Sequence, residues 1–176
     1  MSVTKVSSAM QDLTDDYAFS GTVTGAGGKV VQVVNTLNSA VSTTTTTVPS
    51  DDTIIQNDEG AELMTLAITP TNSSNKLVIE VRVNAATGTA RNIFGAIFQD
   101  STASALHCFG HYQSTATGHI NIMTTFYMAA GTTSATTFKV RAGPHAAATV
   151  TFNGHGGARK FGGAYHSSIT ITEIQV

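Results

Sequence analysis

Six histidines (His107, His111, His119, His145, His155 and His166) are the residues of this 176-residue chain best suited to hold a metal or move a proton. Metal ligands usually come as a close pair joined by a second pair elsewhere. Only His107 and His111 are close, and on a strand two residues four apart share a face about 13 Å from each other. One chain therefore offers no chelate, and no metal is expected; a threefold assembly would be needed to gather three copies of one histidine on its axis. Cleavage of a sugar polymer would need two carboxylates about 5–9.5 Å apart. Past residue 62 only Glu80, Asp100 and Glu173 carry one. They fall on separate strands and turns, so roles in the fold are expected of them. The chain has no G-x-S-x-G, H-E-x-x-H, Walker A or C-x-x-C pattern. The expectation is a non-enzyme without catalytic residues or a cofactor.

The most function-like stretch is Asn153-Gly-His-Gly-Gly-Ala-Arg-Lys-Phe-Gly-Gly-Ala-Tyr-His166. Aromatic rings stack on sugar faces, and an Arg–Lys pair attracts anionic polymers. His155, Arg159, Lys160, Phe161, Tyr165 and His166 are thus candidates for contact with a glycan. They are equally candidates for contact with a neighbouring subunit, with Phe161 and Tyr165 as anchors.

The elements that must position these residues are strands. Lys76–Asn84 alternates Leu77, Ile79, Val81 and Val83 against Val78, Glu80 and Arg82, which is the period of a half-buried strand. Similar patterns are read at 29–36, 62–69, 92–99 (with Gly95 as a bulge), 105–112, 119–128, 136–142, 149–153 and 168–176. In the last, Ile174 and Val176 join the face of Ile169 and Ile171 only through a bulge at Thr172–Glu173. Thr43–Val48 is a β-branched run without an apolar face and suits an exposed edge strand. Eight to ten short strands with evenly spaced turns predict an all-β fold, an antiparallel β-sandwich of jelly-roll type, over residues 29–176.

Residues 1–28 read as an arm. Val6, Met10, Leu13 and Tyr17 are spaced for one helical stripe, and Ser8 with Gln11 fits a capping box. A helix this short is marginal alone, so the four apolar residues are candidates for anchoring to a larger body. Gly21–Gly28 reads as a flexible joint.

Only 11% of residues are charged, against about 25% in an ordinary soluble domain. A surface so poor in charge calls for cover, and self-association is the simplest. Residues 1–62 carry eight acids and two bases, a net −6; residues 63–176 carry three acids and seven bases, a net +4. Seven bases over that length are too dilute to argue for nucleic acid. No basic-then-apolar leader is read and no apolar run approaches 18 residues, so synthesis in a cytoplasm without membrane insertion is expected. The single cysteine, Cys108, reads as a half-buried thiol on a strand.

Five stretches, taken in order, resemble small β-sandwich domains of tailed-bacteriophage fibre, knob and capsid-decoration proteins. They are Gly27-Gly-Lys-Val-Val-Gln-Val-Val34, Ile68-Thr-Pro-Thr-Asn-Ser-Ser-Asn-Lys-Leu-Val-Ile79, Gly95-Ala-Ile-Phe-Gln-Asp-Ser-Thr102, Thr132-Thr-Ser-Ala-Thr-Thr-Phe-Lys-Val140 and Ser168-Ile-Thr-Ile-Thr-Glu-Ile174. The resemblance covers about residues 29–176. It implies a homotrimer displayed on a virion, bound to a phage capsid or tail protein, with a host cell-surface polysaccharide as a further partner. No long shaft precedes the domain, which favours a short knob over a long fibre.

Overall fold

Alternation along the longest strand builds the core. The computed structural model describes residues 28–116 and 118–176; the anchoring candidates Val6, Met10, Leu13 and Tyr17, and the predicted arm helix, lie outside them. The strands are β1 (Val30–Asn38), β2 (Ser42–Thr44), β3 (Ala61–Ile68), β4 (Lys76–Thr87), β5 (Ile93–Gln99), β6 (His107–His111), β7 (His119–Ala129), β8 (Thr136–Pro144), β9 (Val150–Phe152), β10 (Gly154–His155), β11 (Ala158–Arg159) and β12 (Ser167–Ile174). Leu77, Ile79, Val81, Val83 and Ala85 of β4 point inward and are buried. They meet Ile120 and Ile122 of β7, Ile169 and Ile171 of β12, and Phe138, Val140 and Ala142 of β8 in one cluster.

All pairings are antiparallel, in two principal sheets. One has the order β3-β8-β5-β6. In the other, β4 is central: β7 lines one side of it, while β12 and then β9 line the opposite side end to end. β1 flanks β12 and β2 flanks β9. Each sheet is thus four strands wide, and the chain alternates between them as a jelly roll does. The fold is the all-β antiparallel sandwich that the strand patterns predict.

Four local expectations are corrected. Only Ser42–Thr44 of the threonine run is a strand. The run then leaves the sheet and crosses β8: the Val48 amide donates to Pro144 O, Val48 is fully buried, and a Cβ on Gly143 would lie 2.2 Å from Thr46 O. Gly95 is in register with Ala142 and Phe109 and makes no bulge; its missing side chain lets the Phe109 ring lie over it. β12 also runs in register against β4 without a bulge. Glu173, not Ile174, takes the inward position after Ile169 and Ile171. Cys108 is exposed, not half-buried, because it faces away from the core beside Ala96.

Glu173 is buried completely. Burial alone would push its carboxyl up. Donors from Gln32 Nε2 (2.6 Å), Asn75 Nδ2 (2.6 Å), and Thr71 Oγ1 (2.9 Å) and N (2.8 Å) outweigh that and hold it at about 2. The carboxylate ties β1 and the β3–β4 loop to β12. Asp100 likewise serves the fold, accepting from Thr136 Oγ1 and the Thr137 amide.

Candidate binding site at one end of the sandwich

Strand register defines two opposite ends. At one, Val30, Ile174, Lys76 and Ala129 stand side by side, and Gly28 joins here, with Lys29 O accepting from the Gln175 amide. At the other, Thr43, Thr151, Ala86 and His119 stand side by side. Lys76 and Ala86 are ten steps apart on β4, roughly 33 Å at strand rise. The 153–166 loop belongs to this second end.

That loop is more ordered than its composition suggests. Gly154 pairs with Arg159 and His155 with Ala158. Gly156 and Gly157, both at positive φ, supply the two-residue turn that such a hairpin needs. Asn153, fully buried, anchors the base: its Nδ2 donates to Ala40 O (2.9 Å), its amide to Asn84 O (2.9 Å), and its Oδ1 accepts from Ser167 Oγ (2.7 Å). After β11 a single 3-10 turn, Phe161–Gly163, carries the chain back.

The loop packs on the outward face at the start of β7. The Tyr165 hydroxyl donates to Ile120 O at 2.7 Å. The His119 ring lies 5.2 Å from that of His155, 5.7 Å from Phe161 and 5.5 Å from Tyr165, and Phe161 and Tyr165 meet edge-on at 5.8 Å. Four rings from two distant segments thus form one cluster. Burial lowers the basicity of His119, and the nearby His155 and Lys160 lower it further. His155 Nε2 is out of contact with solvent and has no hydrogen-bond partner among the described residues.

Of the six loop candidates, the cluster unites His155, Phe161 and Tyr165, with Lys160 alongside. Arg159 lies along Gly163, 3.4 Å from where a Cβ would stand. His166 departs from the group: its carbonyl accepts from Asn84 Nδ2 (2.6 Å) and its side chain borders a different groove. His119 is the member that the loop's composition leaves out. It opens the β7 alternation, which marks it as a strand end, but only the Ala86–His119 and Ala86–Thr151 registers bring it to the loop.

The second feature is the outward face of β1, β12, β4 and β7. One row across it is Val33, Thr172, Val78 and Tyr127; another is Leu37, Ser168, Arg82 and Met123. Val33, Leu37, Met123 and Tyr127 are each more than half exposed. Along the second row runs a groove of about 450 Å³ bordered by Leu37, Glu80, Arg82, Met123, Ser168 and His166. Among the described residues the one ion pair is Arg141–Glu62, at 3.9 Å, so Glu80 and Arg82 have no such partner there. No group of three or more metal-ligating side chains occurs among the described residues, and no described helix is long and apolar enough to cross a membrane.

Architecture and site together define a two-sheet antiparallel sandwich with an aromatic–imidazole cluster at one end and a bare apolar sheet face. No family model matches the chain, and no curated protein does. Among solved structures, Eiger TNF from S. frugiperda is similar at a TM-score of 0.48 and 7% identity, over 84% of this chain and 94% of that one. Likeness of that degree assigns neither a family nor a partner.

Proposed function

We propose that this chain is a non-catalytic structural protein of a tailed-bacteriophage particle, a homotrimeric capsid-decoration knob or short appendage attached through residues 1–28. The observation that carries the reading is the uncovered face of β1, β12, β4 and β7. Four large apolar side chains stand exposed there, with an acid and a base, Glu80 and Arg82, two residues apart and unpaired among the described residues. Several exposed large apolar side chains on one sheet face mark an interaction surface, and a face carrying both signs of charge suits copies of itself. Attachment at threefold junctions would hold several neighbouring subunits of a shell at once.

Sedimentation velocity tests this. The wild-type chain is expected to run as a trimer at micromolar concentration, and the Met123→Glu/Tyr127→Lys double variant as a folded monomer. A wild-type monomer overturns the reading. Deleting residues 1–28 is expected to leave the trimer and abolish binding to particles; retained binding removes the arm from the proposal.

A second reading is a receptor-binding tip that meets a host cell-surface glycan. It is favoured by the position of the 153–166 loop, at the end of the sandwich opposite Gly28. Labelled protein is expected to stain host cells, and the Arg159→Ala/Lys160→Ala variant to stain them far less; absence of staining by the wild type sinks this reading.

A further inference from the structure

The end that carries the 153–166 loop has an unusual charge inventory. Segments 38–47, 84–92, 111–116, 118–121 and 143–166 meet here and contain no Asp or Glu; one acid from the following turn, Asp51, borders Phe94 and Gly110 at the β5–β6 corner. They hold three permanent cations, Arg91, Arg159 and Lys160, and five of the six histidines: His111, His119, His145, His155 and His166. Register puts them together, since His111 pairs with Ile93, Ile93 with Pro144, and His119 with Ala86. The chain's net charge is −2 with histidines neutral, yet this end is positive at neutral pH.

Phe161 stands within this field in a conformation that bulky residues avoid. Its φ is +51°, it is followed by Gly162 and Gly163 at +64° and +94°, and it is 68% exposed. Left-handed backbone at a non-glycine residue costs about 1–2 kcal/mol. Strain that displays an apolar ring to solvent is typical of binding sites. Tyr165, fixed by its bond to Ile120 O, braces the ring from its edge. His155 Nε2 lacks a partner beside it.

We infer that His119, His155, Lys160 and Phe161 form a binding site for an acidic saccharide, one carrying carboxylates on its pyranose rings, and that binding takes up protons. The Phe161 face stacks on the C–H face of a pyranose. Lys160 and the two imidazoles supply positive charge and N–H donors to the carboxylate. The groups around His119 are His155 on β10 and Lys160, Phe161 and Tyr165 on the returning loop; its strand neighbour Ala86 is neutral. Every charge in that set is positive, so protonation is opposed in the free protein and favoured once a carboxylate arrives. The inference deepens the receptor-binding reading, whose glycan it specifies.

Isothermal titration calorimetry of the full chain with oligogalacturonate, whose carboxylates stay ionised at both pH 5.5 and pH 7.5, tests it at constant ionic strength. Expected are binding at least about tenfold tighter at the lower pH, because a carboxylate beside His119 favours its protonated form, net proton uptake on binding, and no binding of a neutral glucan oligomer. His119→Gln/His155→Gln is expected to cut the pH ratio below about twofold while oligomeric state and melting temperature stay at wild-type values. Phe161→Ala is expected to weaken binding at both pH values and leave the ratio. Absence of binding at pH 5.5, equal binding of the neutral oligomer, or a pH ratio that survives in the double histidine variant would each overturn the inference. The ligand is soluble and defined, so the result is independent of whether the protein stains cells or decorates particles.

Discussion

The two outward faces of the sandwich are made from similar strands and end in opposite states. On the β3-β8-β5-β6 sheet, Ala96 and Phe98 point outward by alternation yet are 0% and 1% exposed. The chain covers this face itself. Residues 46–60 cross it, with Arg141 reaching Glu59 O (3.0 Å) and Gly60 O (2.7 Å), and the Ala105 amide donating to Ile55 O. On the β1-β12-β4-β7 sheet, Tyr127 and Met123 hold equivalent outward positions and are 65% exposed. One face has its partner within the chain; the other has none among the described residues. Covered and bare faces therefore differ in whether an outward apolar side chain supports folding or is available for association.

The largest expected effect comes from the same kind of truncation on each face. Phe98→Ala opens a cavity in the covered face, where its ring is buried, and is expected to cost about 3–5 kcal/mol. Tyr127→Ala, measured at a dilution where subunits are separate, is expected to stay within about 0.5 kcal/mol of wild type. Chemical denaturation of both reads the difference, and similar losses would erase the distinction between the faces.

Next comes acid. Glu173 holds the lower end of the bare-faced sheet from within and titrates at about 2 in the folded chain, against 4.5 ordinarily. A lowered carboxyl stabilises the fold above the unfolded value and loses that contribution as pH falls through the folded one. Between about pH 5 and 2 the wild type is expected to lose about 3 kcal/mol from this group. Glu173→Gln is expected to start less stable and to lack that part of the acid slope. Since Gln32, Thr71 and Asn75 donate to this carboxylate, acid should loosen β1 first. Hydrogen exchange at pH 3 checks whether β1 opens before β8.

Much of this fold is legible in strand alternation, and the failures have physical causes. β4, β7 and the start of β12 follow their patterns because one face of each is buried in the core. Alternation says nothing about Thr43–Val48, where every side chain is β-branched and none marks a face. It also fails at Glu173, since a charged residue is not expected in an inward position unless several donors converge on it, and those donors come from Gln32 and Thr71–Asn75. The 153–166 segment is legible as a binding candidate from composition alone. His119 is not, because it is 36 residues before His155 and reaches it only through the central position of β4. Nor is the gathering of five histidines at one end, which depends on which strand ends meet.

The smallest expected effect probes how tightly the covered face is filled. Gly110 of β6 lies opposite Phe94, and a Cβ there would stand 2.3 Å from Phe94 Cδ1 and 2.7 Å from its Cε1. The ring occupies the space that a side chain at Gly110 would need, on a strand at the edge of its sheet. Gly110→Ala must turn or displace that ring, which also meets His145 edge-on at 6.3 Å. The expected loss is about 1–2 kcal/mol, the lower range for overpacking, because the edge strand can yield. Gly88 is the control, with open space around its Cβ position and no positive φ; Gly88→Ala should be neutral or stabilise by a few tenths of a kcal/mol. Equal melting temperatures for the two variants would mean that the Phe94 ring is free to move aside, and that the covered face is packed more loosely than its burial implies.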